Sequence, residues 1–220
     1  MIEQIEIRNL LPCVFGGMED TDRIRSSQIW EEPSFVFHRG CRLCVHAESG
    51  NGKSSLLHFI YGSRKDYKGS ILFDGTDISA LSIAQWCEVR TRGIALLPQD
   101  MALFPELTVG QNIDLKNNMT HHKTSEQIKD LLARLGIDDK HDVAAGKLSI
   151  GQMQRVALVR AVCQPFDFIF LDEPVSHLDA RNNKIVADII TEEANSQGAG
   201  IISTSVGNHL MLDNAKFVSL

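Results

Sequence analysis

The opening residues alternate between apolar and polar side chains, and this pattern predicts a strand. Residues 2–10 read IEQIEIRNL, an alternation expected of a strand with one buried face. Similar short segments predict three further strands, at residues 34–37, 42–46 and 70–73. The polar stretch at residues 16–27 predicts a loop, and Asp74-Gly75 is typical of a hairpin turn. The first third of the chain is therefore expected to be rich in strands.

Helical spacing of apolar residues begins with SSLLHFIY at residues 54–61 and returns in the middle of the chain. Just before the middle segment, which spans about residues 100–147, LSIAQWCEVR predicts one amphipathic helix. Within that segment, TSEQIKDLLARLG predicts a second, starting near Thr124 and stopping at Gly136. The last third returns to strands. Residues 166–171, FDFIFL, are almost continuously apolar, as in a parallel strand covered on both faces, and residues 200–204 predict another strand. The order of elements predicts an α/β core with a mostly helical segment inserted in its middle.

Composition places the chain among ordinary globular proteins. It has 220 residues, of which 43% are hydrophobic and 23% charged, which suits one domain. Acidic residues outnumber basic ones by 28 to 22, so the formal net charge is −6 and a general nucleic-acid-binding surface is not expected. No apolar run reaches the roughly 18 residues of a membrane span, and the N-terminal residues lack a secretory pattern. We expect a cytoplasmic protein that reaches a membrane only through a partner.

The five cysteines predict ordinary thiols. Their number is odd and no export signal is visible, which argues against a disulfide framework. Cys41 and Cys44 form a CxxC pattern, but it falls in a predicted strand. Residues three apart in a strand point to opposite faces, so these two thiols are not expected to converge on a metal.

A glycine-rich segment between a predicted strand and a predicted helix suggests phosphate binding. Residues 47–55 read AESGNGKSS, in the context that a P-loop requires, although Ala47 stands where the motif has its first glycine. Backbone N–H groups and the helix N-terminus would face phosphate oxygens. Lys53 would contact the β- and γ-phosphates, and Ser54 would join the Mg²⁺ shell. The predicted nucleotide-binding residues of the loop are Ser49, Gly50, Asn51, Gly52, Lys53, Ser54 and Ser55. The alternative is a serine-rich turn that binds nothing.

Two acidic residues follow the apolar strand at residues 166–171. Asp172 and Glu173 are expected at the carboxyl end of a parallel strand, where α/β folds bind ligands. Beside a P-loop, Asp172 would hold Mg²⁺ directly or through water. Glu173 would face the γ-phosphate and orient a water molecule for in-line attack. The alternative is an acidic helix cap that follows a core strand.

Shortly before this strand lies LSIGQ, at residues 148–152, followed by Met153-Gln154-Arg155. The order of P-loop, LSIGQ segment and acidic pair resembles the ATP-binding subunits of ABC transporters, which carry an LSGGQ signature at that place. The resemblance covers nearly the whole chain, from the first strand to about Ser205. The segment around Gln99 is most similar to the ATPases of lipoprotein-release and macrolide-export systems.

The resemblance implies the ABC ATPase fold, an α/β P-loop NTPase core with an inserted helical subdomain. The chain would be a single domain over residues 1–220, with its core at about 1–97 and 156–220 and its helical lobe at about 98–155. Its ligands would be ATP and Mg²⁺.

The resemblance also implies roles for residues outside the loop. Gln99 matches the glutamine that touches Mg²⁺ and links the core to the helical lobe. Ser149, Gly151 and Gln152 match signature residues, which contact the ATP held by the other subunit of a head-to-tail dimer. Asp179 matches the aspartate of the D-loop.

Two positions depart from the family pattern. Ser205 stands where the family has its switch histidine, which predicts slower hydrolysis because a hydrogen bond to the γ-phosphate is missing. His209, four residues later, is expected on a surface helix. Phe15 is the best candidate for the aromatic ring that stacks on adenine, with core packing as the alternative, and Trp30 is the second candidate.

One P-loop and one signature in the chain imply that the functional unit is a dimer. The second ATPase subunit would be a copy of this chain or a related chain. The resemblance implies an ATP-hydrolysing subunit that drives an integral membrane transporter subunit from the inner face of the cell membrane. The alternative is a slow-hydrolysing, ATP-gated clamp that signals to a membrane or soluble partner without transport. Ser205 keeps that alternative open.

Overall fold

The computed structural model describes residues 1–17 and 21–220, and within these residues nine strands form two sheets. The strands are β1 (Gln4–Pro12), β2 (Ser34–His38), β3 (Arg42–His46), β4 (Tyr67–Phe73), β5 (Thr76–Asp77), β6 (Ile94–Leu97), β7 (Phe168–Asp172), β8 (Gly200–Ser205) and β9 (Lys216–Ser219). The α-helices are α1 (Asp22–Arg25), α2 (Lys53–Ile60), α3 (Ile83–Glu88), α4 (Val109–Thr120), α5 (Ser125–Arg134), α6 (Ile150–Val162) and α7 (Ala180–Gln197).

The larger sheet is parallel, with its strands in the order β6-β7-β8-β3-β9. Because its strands point the same way, the segments that follow β3, β7 and β8 meet at one edge. Every residue of β7 and of β8 is buried. This burial confirms that the apolar run at residues 166–171 leads into a strand covered on both faces.

The smaller sheet is antiparallel, in the order β2-β1-β4-β5. Ile5 and Ile7 of β1 are buried and alternate with half-buried polar residues, which explains the alternation over residues 2–10. Asp74 and Gly75 have φ angles of 48° and 81°, as a two-residue hairpin turn with both central residues at positive φ requires. The predicted turn between β4 and β5 is therefore confirmed.

Helix α2 packs against both sheets, and the three elements share one apolar core. The buried side chains of this core include Ile5 and Phe37 from the antiparallel sheet, Leu57 and Ile60 from α2, and Phe168 and Phe170 from the parallel sheet. Burial of this apolar surface is the main force that holds α2 in place. The start of α2, where the glycine-rich loop ends, is thereby fixed against the carboxyl edge of the parallel sheet.

Helices α4, α5 and α6 lie between β6 and β7 in the chain and form the inserted helical subdomain. Each begins with the same capping box, in which a Ser or Thr side chain and a Gln side chain three residues later bond to each other's backbone N–H groups. The α/β core with a helical insertion confirms the predicted fold class. The boundary at residue 155 stays a prediction, and α6 continues across it to Val162.

Two local predictions are wrong. Part of the polar stretch at residues 16–27 forms the short helix α1 instead of a loop, and residues 18–20 of that stretch lie outside the described part of the chain. His209 lies in the irregular segment between β8 and β9 and not on a helix. The five cysteines are free thiols, as expected. None of the helices in the described ranges has both the length and the apolar character needed to cross a bilayer.

Candidate functional site

The glycine-rich loop joins the end of β3 to the start of α2 at the carboxyl edge of the parallel sheet. Gly50 and Gly52 have φ angles of 85° and 91°, a left-handed conformation that glycine adopts without steric cost. Ala47 does not have a positive φ, so its methyl group fits where the motif has a glycine. The backbone therefore curls as a phosphate-binding loop does.

The loop closes around the side chain of Lys53, which is only 5% exposed. Its Nζ donates hydrogen bonds to the backbone oxygens of Ala47, at 2.9 Å, and Glu48, at 3.0 Å. Burial lowers the pKa of Lys53, and the charges of Glu173 and Asp172 oppose that shift. The lysine thus sits in the centre of the loop with both predicted carboxylates near it.

Asp172 and Glu173 follow each other at the end of β7 but have different surroundings. Asp172 is 3% exposed and accepts a hydrogen bond from Thr204 Oγ1 at 2.6 Å. The Glu173 side chain extends toward the loop, with Oε1 4.0 Å from Lys53 Nζ. Glu173 also has a φ of 50°, which is uncommon for a residue with a side chain and frequent at functional sites.

A cavity of about 450 Å³ lies at the start of α2. Its lining residues are Ser54, His58, Pro98, Gln99, Asp100 and Asp172. The three residues predicted to hold Mg²⁺, Ser54, Gln99 and Asp172, therefore share one cavity. Their hydroxyl, amide and carboxylate oxygens are hard ligands of the kind that Mg²⁺ prefers, so the donor set fits this ion.

A larger cavity of about 1020 Å³ lies on the other side of the loop. It is lined by residues of the loop, of the end of β8 and the segment after it, and of β3, β9 and their surroundings: Ala47, Glu48, Ser49, Asn51, Ser205, Val206, Gly207, His209, His46, Ser26, Phe217, Ser219 and Leu220. Ser205 is 3% exposed, and its Oγ lies 3.7 Å from Cys44 Sγ. The hydroxyl of Ser205 thus lies beside the Cys44 side chain of the neighbouring strand β3, at the floor of the cavity that Ser205 helps to line. His209 packs edge-on against Phe217, with ring centroids 5.1 Å apart.

The LSIGQ segment starts helix α6 and lines neither cavity. Ser149 caps the helix, because its Oγ accepts a hydrogen bond from Gln152 N at 3.3 Å while Gln152 Oε1 accepts one from Ser149 N at 2.9 Å. A side chain at Gly151 would place its Cβ 3.3 Å from the backbone oxygen of His177. Within one chain, these residues do not meet the P-loop.

Asp179 begins α7, where its carboxylate accepts hydrogen bonds from Asn182 N, at 2.8 Å, and from Asn182 Nδ2, at 3.0 Å. The backbone hydrogen bond from Asn182 lowers the pKa of Asp179. Asp179 also lines neither cavity, so the structure gives it a helix-capping role within this chain.

Both candidate adenine-stacking rings pack against the loop from outside. A Cβ on Gly52 would lie 3.2 Å from Trp30 Cζ2 and 3.5 Å from Phe15 Cε2. Phe15 is 4% exposed and Trp30 is 6% exposed, so neither ring presents a free face to a base. The packing favours the core alternative for Phe15, and adenine stacking by this residue stays a prediction.

Sequence reasoning missed several residues that support the site. Thr204 Oγ1 donates to Asp172 and also accepts a hydrogen bond from Glu173 N at 3.1 Å. Gln154, on α6, donates from Nε2 to the backbone oxygen of Glu173 at 3.0 Å. Arg64 donates from a terminal guanidinium nitrogen to Ser55 Oγ at 2.8 Å. These partners lie 9 to 32 residues apart in the chain, so no local pattern could have revealed them.

Known proteins resemble this chain in sequence. The family model described as ABC transporter matches residues 30–176. The ABC transporter ATP-binding protein YtrE of Bacillus subtilis is 30% identical over 173 residues, which cover 77% of this chain and 75% of YtrE. The lipoprotein-releasing system ATP-binding protein LolD of Buchnera aphidicola is 32% identical over 162 residues, which cover 72% of this chain and 71% of LolD.

A solved structure resembles the chain in fold. The dimeric structure of MJ0796, a bacterial ABC transporter cassette, has a TM-score of 0.73 to this chain at 19% identity. The match covers 98% of this chain and 94% of the cassette, so the likeness extends over both the α/β core and the helical insertion.

Proposed function

Because this chain belongs to the ABC transporter family, whose ATP-binding subunits bind and hydrolyse ATP, we propose that it powers a membrane transporter through ATP-driven dimerisation. The observation that carries the proposal is the placement of Lys53 Nζ 4.0 Å from Glu173 Oε1, with Lys53 held by the P-loop backbone and Asp172 near enough for its charge to act on the lysine. A bound triphosphate would meet the lysine, the magnesium ligands and the carboxylate together.

The phosphates would be held by the loop and by three magnesium ligands. Backbone N–H groups of residues 49–55 and the start of α2 would face the phosphate oxygens, with Lys53 on the β- and γ-phosphates. Ser54, Gln99 and Asp172 would hold Mg²⁺, which when bound neutralises charge on the β- and γ-phosphates. The shared cavity of these three residues supports this assignment.

Glu173 would orient the water molecule that attacks the γ-phosphate. Before nucleotide binds, Lys53 Nζ donates hydrogen bonds to two backbone oxygens and forms an ion pair with the Glu173 carboxylate. The phosphate oxygens would replace the Glu173 carboxylate as the partner of Lys53. The carboxylate would then be free to accept a hydrogen bond from water. The Glu173 backbone is already tied to Thr204 and Gln154, so the side chain would need little reorganisation.

The second half of each ATP site would come from another subunit. Ser149, Gly151, Gln152 and Asp179 lie outside both cavities next to the loop, so within one chain they have no nucleotide to contact. In a head-to-tail dimer they would cover the ATP held by the opposite P-loop, as the family resemblance implies. The partner would be a second copy or a related ATPase chain.

An integral membrane transporter subunit would receive the motion of this dimer. The names of YtrE and LolD describe ATP-binding proteins of an ABC transporter and of a lipoprotein-releasing system. By analogy, the chain would lie on the inner face of the cell membrane, held there by its partner. The resemblance to LolD favours the lipoprotein-release type among the transporter classes.

The position of Ser205 favours the slow, ATP-gated clamp as a second candidate. Its hydroxyl lies 3.7 Å from Cys44 Sγ on the neighbouring strand, and a serine lacks the imidazole that would reach the γ-phosphate. Hydrolysis would then be slow, on the order of tenfold to a thousandfold below that of a chain with the histidine. Binding and dimerisation would carry the signal, and hydrolysis would only reset the clamp.

The Glu173→Gln variant tests the proposal. With MgATP it should elute as a dimer in size-exclusion chromatography and hydrolyse at least about a hundredfold less ATP than the wild type, because water is no longer oriented. Glu88→Gln is the matched control, since the Glu88 side chain is exposed and forms a surface ion pair with Arg92, which contributes little. Equal hydrolysis by the wild type and Glu173→Gln would contradict the assigned role of Glu173.

The same variant separates a transporter ATPase from a clamp that has no membrane partner. Purified from detergent-solubilised membranes with MgATP, it should bring down a multi-span membrane protein in stoichiometric amount if the chain powers a transporter. Recovery of the ATP-bound dimer alone would reject the transporter and support the clamp.

A further inference from the structure

Residues 26–31 form a segment that lies between the end of β9 and the P-loop and is hydrogen-bonded to both. At one end, Gln28 N donates a hydrogen bond to Ser219 O at 3.0 Å, and Gln28 Oε1 accepts one from Ser219 N at 2.9 Å. At the other end, Trp30 Nε1 donates to the backbone oxygen of Asn51 at 3.2 Å. The segment therefore bonds directly to the backbone of the phosphate-binding loop.

The indole ring of Trp30 is held firmly in this position. Trp30 N and Ile29 N donate to Ser27 Oγ, at 2.8 and 3.2 Å, and Ser27 itself is only 2% exposed. Trp30 as a whole is 6% exposed, and its Cζ2 lies 3.2 Å from the position that a Cβ on Gly52 would occupy. A side chain that is buried and bonded at both its backbone and its ring has one orientation, so the hydrogen bond to Asn51 is preorganised.

We propose that Trp30 is a positioning residue for nucleotide binding, which it supports by fixing the peptide between Asn51 and Gly52. In a planar trans peptide, the C=O and the N–H point in opposite directions. Because Trp30 binds the Asn51 oxygen from outside, the Gly52 N–H points away from the indole, toward the inside of the loop. Inward N–H groups are what a P-loop offers to phosphate oxygens, and the inference therefore rests on the proposed ATP binding.

Without this hydrogen bond, the peptide between Asn51 and Gly52 would be free to turn. Glycine at positive φ permits such a rotation at low steric cost, and an inward carbonyl oxygen would repel the phosphates. Trp30 acts on the resting loop, so it supports substrate and transition state equally. Loss of uniform binding of this kind raises KM and leaves kcat unchanged.

The chain provides a matched control, since Trp86 is its only other tryptophan. Trp86 also packs against a glycine, Gly62, and its ring lies edge-on to Phe73 at 6.1 Å and under the guanidinium of Arg90 at 4.9 Å. It lines neither cavity at the P-loop. A purely structural role for tryptophan would give Trp30→Phe and Trp86→Phe similar effects on stability and none on nucleotide affinity.

The first test measures affinity in Trp30→Phe, which keeps an aromatic ring but removes the N–H. We expect the Kd of MgADP, and the KM for ATP, to rise about three- to tenfold, the range for the net contribution of one hydrogen bond. The kcat should stay close to that of the wild type, whereas the melting temperature should fall by a few degrees because a buried hydrogen bond and part of a buried ring are lost. Trp86→Phe should leave the Kd unchanged. An unchanged Kd in Trp30→Phe would overturn the proposal.

Tryptophan fluorescence gives a second test that does not alter Trp30. In Trp86→Phe the only indole is Trp30, and its emission should change on titration with MgADP, because the loop to which it is bonded receives the phosphates. The emission of Trp30→Phe, whose only indole is Trp86, should not change. Should Trp30→Phe fail to fold, this titration decides alone, and a constant emission at saturating MgADP rejects the proposal.

The two proposals fail in different ways. If the wild type binds no MgADP or MgATP, the proposed function is wrong and the role of Trp30 falls with it. If the wild type binds both and Trp30→Phe binds equally well, only the role of Trp30 is wrong.

Discussion

A single hydroxyl group connects the two acidic residues of the candidate site. Thr204 Oγ1 donates to the buried Asp172 carboxylate and accepts from the backbone N–H of Glu173. One donor and one acceptor are all that a hydroxyl needs to satisfy both neighbours. The side chain of Thr204, on the neighbouring strand β8, therefore fixes Asp172, the proposed magnesium ligand, and the start of the turn at Glu173.

Thr204→Val should damage both stability and hydrolysis. It keeps the shape of the side chain but leaves the buried Asp172 carboxylate without this donor, which costs about 1–3 kcal/mol of unfolding free energy. Urea unfolding measures that loss, and a steady-state assay should show ATP hydrolysis reduced on the order of tenfold or more.

Thr204→Ser is the conservative control for this residue, because it retains the hydroxyl and loses only a methyl group. It should retain most of the activity. If Thr204→Val and Thr204→Ser behaved alike, the hydrogen bond to Asp172 would have no part in the site.

At the scale of elements, the same capping box begins both α5 and α6, and only α6 carries part of the candidate composite site. Ser149 and Thr124 both cap a helix through the same reciprocal bonds with a glutamine three residues later. The cap of α5 has no neighbour in the candidate site, whereas the cap of α6 belongs to the signature segment. The local sequence explains why both helices begin where they do, but it does not distinguish their functions.

Ser149→Ala and Thr124→Ala separate the capping role from the functional role. Each should lower the unfolding free energy by about 1 kcal/mol, because each removes one N-cap. Only Ser149→Ala should also weaken MgATP-dependent dimerisation, since only Ser149 would contact the nucleotide of the other subunit. Analytical ultracentrifugation with MgATP in a Glu173→Gln background measures this difference, and equal dimerisation by both variants would remove Ser149 from the composite site.

At the scale of the whole molecule, the LSIGQ segment lines neither cavity beside the P-loop, and the proposed complete site requires two subunits. A mixing experiment tests whether the second subunit is a copy of this chain. Lys53→Met removes the side chain proposed to bind the phosphates, and Ser149→Glu places a negative charge where it would repel the phosphates of the nucleotide bound by the other subunit. Each variant alone should hydrolyse almost no ATP, because every site in its dimer has one damaged half.

The mixture of these two variants should regain activity in a homodimer. A dimer of one Lys53→Met chain and one Ser149→Glu chain has one site with an intact P-loop and an intact signature. ATP hydrolysis by an equimolar mixture should therefore rise well above that of either variant alone. No recovery, together with an active wild type at the same concentration, would show that the sites do not form between two copies in this way.

Much of the fold and the site was predictable from short stretches of sequence. The alternation at residues 2–10, the apolar run before Asp172 and the caps at Thr124 and Ser149 act through backbone conformation and burial of nearby side chains. The positive φ angles of the P-loop glycines were also predictable from local sequence, because a glycine adopts them without needing any tertiary contact. The family resemblance, and with it the fold class, rested on motifs of this local kind.

What the sequence by itself determined, then, was the order of elements and the chemistry available at the ends of β3, β6 and β7. Only the tertiary structure decided which residues surround that chemistry. It buried Phe15 and Trp30 against Gly52, turned the Ser205 hydroxyl toward Cys44 and placed His209 in a segment without helix. The physical reason is that these outcomes depend on contacts between strands and segments far apart in the chain, and burial is set by the packing of the whole core, which no single stretch of sequence contains.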